Sequence, residues 1–125
     1  MNKSILLVDD ESEIRSLLKL AIQSGGYNVF EAATGAEARR IAAEHPPDLI
    51  ICDLHLDDVD GLDLIQELSQ RYQGVPTVLL TATLFDPAAV DEVILKRVSV
   101  YIQKSAPLRH IISEIRRLLD HGEHK

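Results

Sequence analysis

The apolar positions of this chain switch between two periods. Ile5-Leu6-Leu7-Val8 runs without polar alternation, as strands buried on both faces do, which predicts a strand over Ser4 to Val8. Ile14, Leu17, Leu18 and Ala21 then fall at i, i+3, i+4 and i+7, the inward stripe of an amphipathic helix that Gly25-Gly26 ends. Tyr27-Asn28-Val29-Phe30 is short enough for a second strand. "TGAE" at 34–37 is a capping-box pattern, with Thr34 as N-cap and Glu37 three residues on. A helix is expected from there to Glu44, and Pro46-Pro47 stop it.

"DLIIC" at 48–52 predicts a third strand that delivers Asp53 at its end, and a helix follows near 62–71 with Leu62, Ile65 and Leu68 inward. After Gly74 and Pro76, "TVLL" at 77–80 reads as a fourth strand with Thr81 at its carboxyl end. A helix is expected over 86–96, Pro87 suiting its first turn, and "VSVYI" at 98–102 is the last strand. Ser105 is placed as the cap of a final helix whose stripe is Leu108, Ile111, Ile112, Ile115, Leu118 and Leu119; "HGEHK", 121–125, reads as a frayed tail.

Five strands alternating with five helices predict an α/β fold: an open, doubly wound parallel sheet with helices on both faces. With 125 residues, 46% of them apolar, the chain fits one domain over 1–125 with its own core. Thirteen basic against twenty acidic residues give a net charge of −7, which argues against direct nucleic-acid binding or a membrane-surface role. The N-terminal apolar run is cut by acid too early for a signal sequence, and no run approaches a membrane span of roughly 18 residues. The expected compartment is the cytoplasm. The lone Cys52 fits a reducing environment and reads as a small buried hydrophobe.

Sheets of this kind place their sites beyond the carboxyl ends of the strands. Asp9, Asp10 and Glu11 follow the first strand, Asp53 the third, Thr81 the fourth and Lys104 the fifth. Close carboxylates repel one another, so the acidic cluster needs a reason. Three aspartates make a hard, anionic oxygen site that suits Mg2+, with Mn2+ as an alternative. A carboxylate can also act as nucleophile toward phosphorus, while Lys104 offers a point charge and Thr81 a hydroxyl donor. Each residue has a plainer role open to it: Asp9 or Ser12 as a helix cap, Thr81 as a cap or loop hydroxyl, Lys104 as a solvated lysine. Their convergence at matching strand ends favours a shared site.

"ILLVDDE" at 5–11, "DLIICDLHLDDVDG" at 48–61, "LLTA" at 79–82 and "YIQK" at 101–104, in this order and spacing, resemble a response-regulator receiver domain of two-component signalling, close to the single receivers of chemotaxis. The resemblance spans nearly the whole chain and implies a flavodoxin-like strand order 2-1-3-4-5. It implies that Asp53 is the phosphorylated residue, with Asp9 and Asp10 as metal-binding acids and the backbone carbonyl of His55 completing the protein's share of the Mg2+ shell. Thr81 would be the switch hydroxyl, Lys104 the lysine pairing with the phosphoryl group, and Tyr101 the aromatic that turns inward on activation. His55 and Thr83, two residues beyond the acceptor and the switch threonine, would tune how long the phosphoryl group lasts; on sequence alone they are equally exposed loop residues. The implied donor is a sensor histidine kinase or a histidine phosphotransfer protein. The implied output is a downstream effector domain or protein, or a phosphorylation-promoted homodimer. The domain would catalyse its own phosphorylation and slow dephosphorylation while serving mainly as a switch.

Two positions depart from the family pattern. Asp57 stands where proline is usual four residues after the acceptor, and Lys104-Ser105 replaces the usual Lys-Pro pair. A cis bond there would carry the non-proline cost of about 2.5–4 kcal/mol, so a trans chain is expected. The rival readings are a phosphate-independent scaffold that acts by protein binding, and a flavodoxin-like cofactor binder or phosphatase. The second would need a first loop rich in Gly, Ser or Thr, where this chain has "DDES"; "SGGY" also lacks a phosphate-loop pattern. Sequence leaves open whether the chain is a complete regulator or the receiver of a longer one.

Overall fold

In the computed structural model the chain forms β1 (Ser4–Val8), α1 (Ser12–Ser24), β2 (Asn28–Ala32), α2 (Gly35–Glu44), β3 (Leu49–Asp53), α3 (Gly61–Arg71), β4 (Thr77–Thr81), β5 (Val100–Gln103) and α4 (Leu108–Glu123). The structure describes residues 2–82 and 97–123, so the helix expected over 86–96 lies outside the described residues. All four strand pairings are parallel, and the order is β2-β1-β3-β4-β5, as expected. The connection after β1 runs outward to β2, and the one after β2 crosses back past β1 to β3, so the winding reverses there. The switch point of the sheet therefore lies between the carboxyl ends of β1 and β3, where an open α/β sheet has its crevice.

Alternate residues of the central strands feed two cores. Leu6, Val8, Ile50, Cys52 and Leu79 point to the face covered by α2 and α3, against Ala38, Ala42, Leu64, Ile65 and Leu68. Ile5, Leu7, Leu49, Ile51, Val78, Leu80 and Ile102 point to the other face, against Leu18 and Ile22 of α1 and Ile111, Ile115 and Leu119 of α4. Burial on both faces is why β1, β3 and β4 carry almost unbroken apolar runs. The caps follow local chemistry. Thr34 Oγ1 accepts from the Glu37 amide at 3.1 Å, and Asp60 Oδ1 accepts from the amides of Leu62 and Asp63 at 2.8 and 3.3 Å.

Several boundaries differ from the sequence expectation, each for a tertiary reason. β2 begins at Asn28 and runs to Ala32, because its register follows β1 from Ser4 to Val8; Tyr27 packs on the core before it. Asp53 is the last residue of β3, while Asp48 accepts from the Ser4 amide at 2.7 Å ahead of the strand. β5 begins at Val100, two residues later than expected, where pairing with Val78 starts. Leu17 is 55% exposed, not inward. Burial instead follows the i, i+4 row of Ile14, Leu18 and Ile22, which leaves Leu17 on the flank. Ser105 does not occupy the cap of the last helix: α4 begins at Leu108, and the Pro107 carbonyl accepts from the amides of His110 and Ile111. α4 continues to Glu123, three residues into the stretch expected to be a frayed tail. No helix among the described residues is long and apolar enough to cross a membrane.

Candidate functional site

The ends of β1, β3, β4 and β5 bring most of the expected site residues to one place. Asp9 follows β1 directly, its amide donating to the Ala32 carbonyl at 3.0 Å so that the ladder continues one residue past the strand. Its carboxylate turns back, Oδ1 accepting from the Glu11 amide at 2.9 Å. Asp53 ends β3, and the next amide, that of Leu54, donates to the Leu80 carbonyl at 2.9 Å. Thr81 ends β4 and is fully buried. It lies opposite Gln103 in register, and its carbonyl accepts from the Lys104 amide at 2.9 Å.

Asp9, Asp10, Glu11 and Asp53 offer carboxylate oxygens that lie within 4.8 Å of one another. Asp9 and Asp53 are buried, whereas Asp10 and Glu11 reach solvent. The Lys104 ammonium enters this cluster with a side chain only 6% exposed. It lies 2.7 Å from Glu11 Oε1, 3.0 Å from Asp53 Oδ2 and 3.1 Å from Asp9 Oδ2. Burial works against the ammonium, but the hydrogen bonds to Glu11, Asp53 and Asp9 outweigh it and raise its pKa, so Lys104 stays charged. Burial raises the Asp9 carboxyl above the usual range, partly offset by the Glu11 amide and by Lys104. One lysine cannot satisfy four carboxylates. Among the described residues Asp9 Oδ2 is buried with no hydrogen-bond partner, its approach to Lys104 having ion-pair distance alone.

The loop after Asp53 is held at several points. Asp53 Oδ1 accepts from the His55 amide at 3.4 Å, His55 pairs with Asp60 in an isolated antiparallel bridge, and the Gly61 amide donates to the Leu54 carbonyl at 2.8 Å. Asp58 reaches across to α2, its two oxygens accepting from the amides of Gly35 and Ala36 at 2.9 and 3.1 Å; these bonds lower its carboxyl pKa. This fastening stands beside Asp57, where the family pattern has proline. On the far side Lys104-Ser105 is followed by a turn in which the Ala106 amide donates to Gln103 at 3.0 Å, and the described residues hold no cis peptide bond. Tyr101 is half-buried on β5 and packs on the core beneath α2 and α3. His55 is exposed. Thr83 lies outside the described residues.

Four residues here were not singled out from sequence. Glu11 was seen in the acidic run but not as the third partner of Lys104. Arg15, which donates from Nη1 to the Asp9 carbonyl at 2.6 Å, and Asp58 and Gly61 hold backbone at or beside the site, and their partners are fixed only by the fold. The "DG" dipeptide at 60–61 signals a capped helix start, and glycine is a residue used where backbone must approach closely.

The family model for the response regulator receiver domain matches residues 5–116. The chain belongs to that family. The receiver is 42% identical over 82 residues to the alkaline phosphatase synthesis transcriptional regulatory protein PhoP of Bacillus subtilis, covering 66% of this chain but 34% of that protein. It is 33% identical over 82 residues to sporulation initiation phosphotransferase F of the same organism, covering 66% of each. A receiver domain structure from Methanospirillum hungatei superposes with a TM-score of 0.89 at 26% identity, covering 99% of this chain and 98% of that one. The chain thus spans about a third of the length of the first relative. The strand order and the acidic cluster at the strand ends accompany that family match.

Proposed function

We propose that Asp53 is the phosphoryl acceptor of this receiver, served by Lys104 and Thr81 and by a Mg2+ site built from Asp9, Asp10, Asp53 and the His55 carbonyl. The observation that carries the reading is the approach of the Lys104 ammonium to Asp53 at 3.0 Å inside a carboxylate cluster that includes a buried oxygen of Asp9 with no hydrogen bond of its own. An all-oxygen, acid-rich donor set with one buried oxygen lacking a hydrogen bond fits a hard divalent cation, and Mn2+ would fit the same donors. When bound, the ion supplies positive charge against the oxygens of the transferring group. Everything else is the work of the chain's own side chains.

An Asp53 carboxylate oxygen attacks the phosphorus of a phosphohistidine. The O–P bond forms as the N–P bond breaks, and the electron pair stays on the imidazole nitrogen, which takes up a proton. Lys104 moves from three carboxylates toward the new phosphoryl oxygens, which leaves Asp9 and Glu11 to re-pair. The Thr81 hydroxyl, on the adjacent strand, donates to another phosphoryl oxygen, and β5 carries the change through Tyr101. Water later attacks phosphorus, the Asp53 O–P bond breaks with its electron pair returning to the carboxylate, and inorganic phosphate leaves to reset the switch, with His55 and Thr83 tuning access.

The donor in this reading is a sensor histidine kinase or a histidine phosphotransfer protein in the cytoplasm. The output is an effector domain or protein, or a homodimer that phosphorylation promotes, with no nucleic acid bound by this domain itself. The concentration of acid, lysine and threonine at one strand-end site counts against a phosphate-independent scaffold. Beryllofluoride binding followed by NMR tests the reading. With Mg2+ present, amide shifts are expected at Asp53, Thr81 and Tyr101, and Asp53→Asn should abolish them. Shifts that survive that substitution would place the site elsewhere.

A further inference from the structure

The acid pair hangs from a short loop, and that loop is held from outside by an arginine that the chemistry above does not use. Arg15, in the first turn of α1, donates from Nη1 to the Asp9 carbonyl at 2.6 Å and from Nε to Glu31 Oε1 on β2 at 3.3 Å. The other oxygen of Glu31 accepts from Lys19 at 3.0 Å. The Lys19 hydrogen bond, followed by that of Arg15, keeps the Glu31 carboxyl below its usual range despite some burial, so it stays an anion. The Arg15 side chain is only 19% exposed. Asp9 is therefore gripped at three atoms: its amide by Ala32, its Oδ1 by Glu11 and its carbonyl oxygen by Arg15.

The third grip has the greatest reach. A peptide group is planar, so fixing the Asp9 carbonyl oxygen also fixes the Asp10 nitrogen and the direction in which Asp10 leaves the strand. Without Arg15 this peptide keeps no other described partner for its carbonyl. Arg15 reaches its two acceptors from two nitrogens held in one rigid plane, a fixed spacing that the single nitrogen of a lysine ammonium does not offer. We propose that Arg15, locked on Glu31 of β2, is a positioning residue for the divalent-cation site, orienting the Asp9–Asp10 peptide so that both carboxylates face Asp53. The proposal rests on the reading of the acidic cluster as a Mg2+ site.

Calorimetric titration of Mg2+ tests it, using the wild type, Arg15→Gln, Arg15→Lys, Glu31→Gln and a control, Arg39→Gln. The control removes a surface arginine of α2 whose hydrogen bonds go to Glu67 of α3, at 2.7 Å, and not to a carboxylate of the site. All are titrated where circular dichroism shows them folded. The wild type should bind one ion, and both Arg15 variants should bind about tenfold more weakly, the size usual when an outer support of a metal ligand is lost. Glu31→Gln should show a smaller loss, and the control none. The Mg2+ concentration giving half-maximal phosphorylation should rise in step, while the rate at saturating Mg2+ stays at the wild-type level. Absence of saturable binding by the wild type would overturn the metal reading, and this proposal with it. Saturable wild-type binding with unchanged affinity in the Arg15 variants, or equal loss in the control, would overturn the proposal alone. If Arg15→Gln does not fold, Arg15→Lys and Glu31→Gln decide, and unchanged affinity in both overturns it.

Discussion

Gly61→Ala places a methyl carbon 2.0 Å from the Asp53 carbonyl oxygen and 2.8 Å from both Cα and the carbonyl oxygen of Leu54. All three neighbours are backbone atoms, so no side chain can rotate away. Ordinary contact begins at 3.4 Å, and the start of α3 must therefore retreat from the end of β3 by about 1.4 Å. That movement strains the Gly61 amide bond to Leu54, now 2.8 Å, and lifts the Asp60 cap from its seat. Overpacking plus one weakened buried hydrogen bond predicts a loss of about 3 kcal/mol. With a urea m-value of about 2 kcal/mol per molar, the midpoint should fall by about 1.5 M. Gly74→Ala is the comparison. Its φ of +85° is strained for alanine, but no atom lies within 4 Å of the added carbon, so only about 1–2 kcal/mol is expected. Because Asp53 is the residue pushed, Gly61→Ala should also slow phosphoryl uptake while Gly74→Ala does not. Equal midpoints for Gly61→Ala and wild type, or a smaller loss than Gly74→Ala, would refute the close-approach argument.

Burial raises the Asp9 carboxyl pKa, so the folded protein holds that proton at higher pH than the unfolded chain. Stability then falls as pH rises from the ordinary value of 3.8 through the raised one, and the cost is fully present above it. Asp9→Asn should thus stabilise the metal-free protein near neutral pH, with the gain shrinking as acid is added; urea unfolding in a chelator checks this. Lys104→Met should slow phosphorylation by acetyl phosphate on the order of 10²-fold, measured at saturating Mg2+, because a donor aimed at the transferring oxygens is lost. Burial, and then the nearby Asp53 and Asp9 charges, raise the Cys52 thiol pKa. Iodoacetamide should label it only after denaturation.

The sheet was legible because β1, β3 and β4 are buried on both faces and so carry apolar runs that few other elements would. Asp53, Thr81 and Lys104 were legible for the same reason: each marks where such a run or its neighbour ends. Edge and flank features were not. The extent of β2 depends on what β1 offers it in register, and the exposure of Leu17 depends on which row of α1 meets the sheet. The supports of the site were hidden more deeply. Glu11 meets Lys104 across 93 residues, and Asp58 meets Gly35 across 23, distances over which no local pattern operates. Arg15 falls between the polar and apolar faces of its helix and carries no periodic signal. Its role becomes visible only when β2 brings Glu31 beside it.

Intact mass after incubation with Mg2+ and acetyl phosphate decides whether Asp53 is the acceptor, with wild type, Asp53→Asn and a chelated wild-type sample run together. A single phosphoryl adduct on the wild type, absent from the other two, is the predicted result. An adduct of the same size on Asp53→Asn, or one that forms equally well in chelator, would contradict it.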